Sequence, residues 1–278
     1  MIEIKNLSYR YPGAENEALR GINLSIPKGQ FCGVVGANGA GKSTLCYAIS
    51  GFVPHFYHGH LEGEVRLAGQ FVEERSLGEL AGQVGLVFQN PFNQISGARF
   101  SVREEIAFGL ENLGLPPAEI RQRVEEVLDL VGLQQEAERS PYALSGGQQQ
   151  RVAIAAIIAM QPQVLVLDEP TSQLDPRGSE EVFATLKQLT ESGETTVVIV
   201  EHKLEWLASF ADRVVVLHQG KLTADGEARQ ILNSDQARSH GVGRTRYTEA
   251  AAGIKAGGSV NKMDELPVTL GQAVEYLA

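Results

Sequence analysis

The sequence predicts an α/β protein: a phosphate-loop core with an antiparallel β layer, an inserted α-helical subdomain and a small C-terminal extension. Three observations carry this expectation. Residues Phe31–Leu45 run from a short apolar strand through a glycine-rich turn into a helix beginning near Lys42. Further short apolar runs, Val84–Phe88, Val164–Leu167 and Thr195–Val200, have the continuous hydrophobicity of strands buried on both faces. Between the first two of these, residues 91–163 switch to helical periodicity.

The first segment supplies the β layer. Ile2–Leu7, Ile22–Ile26 and Val65–Leu67 are short and apolar or alternating, and Pro12-Gly13 and Pro27-Lys28-Gly29 punctuate them as turns. Tyr11 lies in a loop before the core strand, where it suits either stacking on a base or packing of the turn.

The loop Gly36-Ala37-Asn38-Gly39-Ala40-Gly41-Lys42-Ser43-Thr44 fits G-x-x-x-x-G-K-[ST] in the strand–loop–helix setting that pattern requires. Glycines let backbone N–H groups turn inward on phosphate oxygens without a Cβ in the way. The helix N-terminus adds partial positive charge at the same place. Lys42 can then reach the β- and γ-phosphates, and the Ser43 hydroxyl can sit on Mg²⁺. A nucleoside-triphosphate binder is predicted.

After a helix to about Ile49, residues 51–63 read as irregular and hold His55, His58 and His60. A metal site is one reading; a polar surface loop is preferred, because no acidic or cysteine ligand completes the set. Gln89 ends the Val84–Phe88 strand, at the end of such strands where open α/β sheets bind ligands. A helix is expected over Val102–Leu113. A second starts at Pro116-Pro117, shows one apolar face (Ile120, Val124, Val127, Leu128, Val131) and stops at Gly132. Leu144–Gln148 heads an apolar helix over Arg151–Met160; its small residues free a helix N-terminus for an anion, but by composition alone a capped buried helix is the preferred reading.

Asp168 and Glu169 end the buried Val164–Leu167 strand. In a phosphate-loop protein the first carboxylate can hold Mg²⁺, and the second can take a proton from an attacking water. Asp175 is the expected N-cap of a helix with Pro176 at its first position. His202, next to Glu201 at the tip of the Thr195–Val200 strand, is a candidate phosphate sensor. A hairpin around Gln219-Gly220 and a helix from Arg229 to about Asn233 close the domain. Residues 241–259, rich in Gly, Ala and Ser, read as a flexible linker. Thr269-x-x-Gln272 looks like a capping box opening a short helix with Leu270, Ala273, Val274 and Leu277 on one face.

Composition bounds the partners. With 278 residues, a net charge of −10 and 43% hydrophobic residues, the chain suits one large α/β domain plus a small unit. An acidic surface repels phosphate backbones, so no nucleic-acid partner is expected. Cys32 and Cys46 lack redox or zinc spacing and read as buried, inert thiols in a reducing setting. No apolar run reaches the length of a membrane span, so work at a membrane would require docking on another chain.

Over about residues 1–233 the order of motifs resembles the ATP-binding subunit of ABC transporters, with a RecA-like core. Gly36–Thr44 matches its Walker A loop, Val164–Asp168 Walker B and Glu169 the catalytic glutamate. Leu144–Gln148 matches the LSGGQ signature, Gln89 the Q-loop glutamine, Ser172–Asp175 the D-loop, His202 the switch histidine and Tyr11 the A-loop aromatic. Within the family, Val87–Gln94 and Glu104–Asn112 look like the energy-coupling factor branch, importers of vitamins or transition-metal ions. Phe92 stands where that branch commonly has Asp, and the switch reads Glu201-His202-Lys203.

The resemblance implies a head-to-tail dimer, homo- or heteromeric, with ATP between subunits. Lys42, Ser43 and the loop from Gly36 to Thr44, Ala37, Asn38 and Ala40 included, would hold the phosphates. Ser145, Gly146, Gly147 and Gln148, with Asp175, would close from the other subunit. Ser43, Gln89 and Asp168 would complete the Mg²⁺ shell, with Glu169, His202, Gln89 and Lys42 catalytic. The resemblance covers residues 1–233 as the ATPase domain. Composition leaves 234–260 as a linker and 261–278 as an extension, like the family's in position and size. Its short helix is marginal alone and should pack on something, a partner copy being one candidate. Membrane subunits would dock at the insertion, on the cytoplasmic face of the membrane. The rival classes are the ATPase of another ABC transporter, a soluble ABC ATPase and a purely regulatory nucleotide-binding module.

Overall fold

The computed structural model describes residues 1–256 and 266–277. The chain opens with β1 (Ile2–Arg10), β2 (Leu19–Ile26), β3 (Phe31–Val35), α1 (Lys42–Ile49), α2 (Phe52–His55), β4 (His60–Leu67), β5 (Gln70–Phe71), α3 (Leu77–Ala81) and β6 (Val84–Val87). The insertion follows as α4 (Val102–Asn112), α5 (Pro117–Leu130) and α6 (Gly146–Ala159). The chain returns through β7 (Val164–Asp168), α7 (Pro176–Glu191), β8 (Thr196–Val200), α8 (Leu204–Phe210), β9 (Arg213–His218), β10 (Lys221–Glu227) and α9 (Ala228–Asn233). Then come α10 (Asp235–Ser239), α11 (Arg246–Ala256) and α12 (Leu270–Leu277).

Two sheets result. β2-β1-β4-β5 is antiparallel, and β10-β9-β3-β8-β7-β6 has its five inner and far strands parallel with β10 antiparallel at one edge. The larger sheet is buried on both faces, which is why its strands lack polar alternation. Successive residues nonetheless point to opposite sides. Phe31, Leu165, Leu167, Val197 and Ile199 join the core shared with the helical insertion and α7. Cys32, Val34, Val164, Val166, Val198 and Val200 join the core shared with α1 and the antiparallel layer. Both cysteines are buried and free, and burial pushes the Cys32 thiol up to about 12, so it is inert.

Three sequence expectations need correction. α6 begins at Gly146 rather than Arg151, because Ser145 and Gln148 form a reciprocal capping box that satisfies the first turn. The histidine loop is not uniformly irregular: His60 opens β4, paired with Arg10, and its Nε2 bonds Glu62 at 2.9 Å. Among the described residues no group of three or more potential ligands gathers to hold a metal ion.

The third correction concerns the linker. Its described part contains α10, capped by Ser234, and α11, and it buries Ala237, Val242, Thr245, Thr248 and Ala251. Alanine, read as a flexibility signal, is also the strongest helix former, and these alanines found apolar surface to cover. The rest of the linker, from residue 257, and residues 261–265 and 278 of the extension lie outside the described residues.

The short helix α12, marginal alone, is expected to pack on something, with a second copy of the chain as one candidate. The reciprocal Thr269–Gln272 box is present, with Gln272 Oε1 accepting from Thr269 N at 3.3 Å and Gln272 N donating to Thr269 Oγ1 at 3.4 Å. The helix buries Tyr276, and Leu270 and Val274 face outward at 60% and 61% exposure.

Candidate functional site

The loop between β3 and α1 is shaped by two glycines. A Cβ on Gly36 would lie 2.2 Å from the Leu217 carbonyl oxygen, and one on Gly41 would lie 2.5 Å from that of Ala18; both have positive φ. Only glycine lets the loop pack this tightly against its neighbours. The result is a cradle whose N–H groups are available to an anion at the start of α1. Lys42 is buried, and its Nζ donates to the carbonyls of Gly36 at 3.0 Å and Ala37 at 3.1 Å. Burial depresses the Lys42 pKa, and the Glu169 and Asp168 carboxylates oppose that shift. An ammonium held only by carbonyls at the mouth of such a loop is well suited to exchange them for phosphate oxygens.

At the tip of β7, Asp168 is 4% exposed. Burial raises its pKa, the hydrogen bond from Ser43 lowers it, Glu169 raises it further, and Lys42 and His202 lower it. A serine hydroxyl and a buried carboxylate side by side are hard oxygen donors of the kind Mg²⁺ takes, so these residues fit that ion. Glu169 adopts a left-handed backbone, φ 51°, with its N–H donating to Val200 O at 3.0 Å. A non-glycine residue held there is uncommon, and such strain clusters at functional positions. Its Oε2 accepts from Gln89 Nε2 at 2.7 Å, and its Oε1 lies 3.0 Å from His202 Nε2.

The tips of β6, β7 and β8 and the start of α1 thus converge on one open pocket of about 750 Å³. Asn38, Lys42, Ser43, Gln89, Glu169 and His202 all line it. Ala18, which sequence reasoning did not single out, also borders it, beside the glycine of the loop it packs against. Tyr11 does not border it but touches a residue that does: its hydroxyl shares a 3.1 Å hydrogen bond with Thr44, and its ring packs edge-on to Tyr9.

Ser145, Gly146, Gly147 and Gln148 belong to a different cavity of about 850 Å³, bordered also by Asp175. Asp175 is committed to the cap of α7, its Oδ1 accepting from Gly178 N at 2.6 Å. Within one chain the structure therefore does not bring this segment onto Lys42. Gly146 alone also borders a third cavity of about 480 Å³ that reaches Ser43, Gln89 and Asp168.

Three residues beside the site escaped sequence reasoning. Glu201 and Thr171 are fully buried and hydrogen-bonded to each other, and Lys203 Nζ reaches Thr171 O at 3.0 Å. The available signal was an acid continuing a buried strand with no exposed position to occupy. The former linker also comes close: a Cβ on Gly241 would touch the Ala37 side chain at 3.5 Å. Farther on, Arg246 N donates to Glu205 Oε1 at 3.0 Å, just beyond His202.

Comparisons with known proteins agree with this geometry. A family model described as ABC transporter matches residues 19–172. Two proteins named as ABC transporter ATP-binding proteins are similar over most of their length. That of Pyrococcus horikoshii is 41% identical over all of this chain and 96% of its own; that of Pyrococcus abyssi is 43% identical over 84% and 83%. Among solved structures, cbiO1 of Clostridium perfringens, described as part of the ABC transporter complex cbiONQ, superposes with a TM-score of 0.75. It is 29% identical over 92% of this chain and 94% of its own. The ATP-binding cassette MJ0796, solved as a dimer in a post-hydrolysis state with ADP and Pi, gives a TM-score of 0.73. It is 32% identical over 83% of this chain and all of its own.

Proposed function

Since the chain belongs to the ABC transporter family and is an ATP-binding ATPase of that family, we propose that it powers an energy-coupling factor importer of a vitamin or transition-metal ion. One observation carries the branch. The MJ0796 cassette is matched in full yet covers only 83% of this chain, whereas cbiO1, from a cbiONQ complex, covers 92%. The part beyond the common ATPase is where an importer subunit with a C-terminal extension differs from a minimal cassette. The Val87–Gln94 and Glu104–Asn112 motifs point the same way.

In this reading Lys42 and the loop amides bind the β- and γ-phosphates, and Ser43 and Asp168, with Gln89, hold Mg²⁺. The ion supplies charge neutralisation at the phosphoryl oxygens. Glu169 orients and deprotonates the attacking water, and His202 steadies the γ-phosphate from the other side. Tyr11 packs against the base. Positioning and electrostatics supply most of the acceleration in such transfers.

Ser145–Gln148 and Asp175 serve the nucleotide of a second subunit, which explains why they lie apart from Lys42 in one chain. Gln89 sits where the core meets the insertion and reports γ-phosphate occupancy to it. Exposed Phe92 and Phe100 and the cavity beside Gln89 form the dock for a membrane subunit on the cytoplasmic face. No helix among the described residues is long and apolar enough to cross a membrane; in this reading the chain works there as a peripheral subunit. The α12 face bearing Leu270 and Val274 is offered to a second copy.

The test is capture of tagged Glu169→Gln protein, with ATP, from detergent-solubilised membranes of its host. Recovery of a multi-span subunit with a small solute-binding membrane protein supports the importer. Recovery of ribosomal or DNA-associated proteins without a membrane partner would overturn it in favour of a soluble ATPase.

A further inference from the structure

We propose that Glu201 is a positioning residue for hydrolysis, fixing His202 against Glu169 by tying the turn after β8 to the segment that follows Glu169. The proposal rests on the roles given above to Glu169 and His202.

Glu201 is 3% exposed, and both of its oxygens are engaged. Oε1 accepts from the backbone N–H of His202 at 2.8 Å and of Lys203 at 3.1 Å, so the carboxylate shapes the turn that carries the histidine. Oε2 accepts from the hydroxyl of Thr171, which is fully buried and separated from Glu169 only by Pro170. A second tie runs alongside. Lys203 Nζ donates to Thr171 O at 3.0 Å and to Ser179 Oγ at 3.1 Å, and Ser179 Oγ donates to Asp175 O at 2.9 Å.

The two residues that meet at 3.0 Å, Glu169 and His202, are thus each anchored one or two positions away to the same buried carboxylate. A buried charge is tolerated only while its donors are in place, and removing one donor leaves it under-satisfied. The turn therefore cannot drift without breaking the whole cluster. Glu201 does not line the Lys42 pocket, so its influence passes through His202 rather than through nucleotide contacts. The Glu-His-Lys order at the switch, unremarkable as sequence, supplies both flanking anchors from the histidine's own neighbours.

The test uses Glu201→Ala, Glu201→Gln and Thr171→Val in the full chain. ATPase kcat and KM are measured per site counted by titration with a fluorescent ATP analogue, with Tm taken alongside. Loss of positioning on the ångström scale costs on the order of 10- to 100-fold in rate. The expected result is a fall of that size in kcat for Glu201→Ala and Thr171→Val, with KM within about threefold of wild type. Glu201→Gln should recover most of the rate, because its amide oxygen can still accept from the two N–H groups while the Thr171 hydroxyl turns to accept from its NH₂.

In a His202→Ala background, Glu201→Ala should cost no further rate. Wild-type kcat per site in Thr171→Val and Glu201→Ala overturns the proposal, as does an equal loss with and without His202. If Glu201→Ala does not fold, Thr171→Val, which removes one hydroxyl, carries the decision. Undiminished turnover by Glu169→Gln would overturn the underlying assignment, and this proposal with it.

Discussion

His202 Nε2 stands 3.0 Å from Glu169 Oε1, while the other oxygen of the same carboxylate accepts from Gln89 at 2.7 Å. With the carboxylate ionised, both neighbours are donors. Three residues from three strand ends therefore close a small ring around the group expected to activate water. In the proposed reading a γ-phosphate and its water exchange into that ring, which would let Gln89 and His202 both respond to the same ligand.

Glu169→Gln keeps the side chain's size but removes the proposed base. Phosphate release should fall by at least about 100-fold, as for loss of a general base. ATP should then hold the protein as a dimer in size-exclusion chromatography. Wild-type turnover by this variant would count against the assignment.

Lys42→Met should weaken ATP binding about 100-fold or more, the loss of two charge-assisted hydrogen bonds of about 1.5 kcal/mol each. The same change should raise the Tm of the nucleotide-free protein. Burial lowers the pKa of Lys42, so at neutral pH the charged native form carries a cost that methionine does not. Equilibrium binding and thermal melts check both signs, and a lower Tm would contradict the account.

Asp168→Asn tests linkage. Burial holds the Asp168 carboxyl above its ordinary range, so the native state keeps its proton to higher pH than the unfolded chain. Stability is then greatest in acid and falls as pH rises through the native pKa. The variant should melt above wild type at pH 7.5, because asparagine has no charge to bury there. The gap should narrow as the pH approaches the ordinary carboxylate value of about 3.9. Melts of nucleotide-free protein across that range read the trend.

Lys42 and Ser145 line separate cavities, which allows a complementation test. Ser145→Arg should retain ATP binding but hydrolyse poorly, and Lys42→Met should do neither. Mixing the two should restore activity, because the mixed pair contains one site with both an intact lysine and an intact serine. If activity does not recover between folded variants, the shared site is refuted.

The segment Ser234–Ala256 should resist trypsin at Arg238, Arg244 and Arg246. It is helical around a covered loop, with Val242, Thr245 and Thr248 buried. Rapid cleavage there, at the rate of an unstructured peptide, would restore the linker reading.

Legibility in the sequence followed the range of the interactions. The phosphate loop, the β7 carboxylates and the β8 histidine were readable because each is a local strand–turn event, with residue types fixed by nearby backbone geometry. Gly36 and Gly41 announce a backbone that no side chain can follow. The α5 face and the Thr269–Gln272 box were readable for the same reason, being periodicities or caps within one element.

What the sequence by itself determined was the order of the main core strands and insertion helices, the nucleotide-binding loop and the candidate acids and bases, since short-range propensity and spacing encode them. The tertiary structure alone decided three things. It joined Gln89, Glu169 and His202, far apart in the chain, through the parallel order of β6, β7 and β8. It sent the Ser145 segment to a separate cavity. It also buried Glu201 onto Thr171 and folded the alanine-rich segment beside Ala37 and Glu205. Such contacts depend on which surfaces remain uncovered once the two sheets have packed, and no local pattern carries that information.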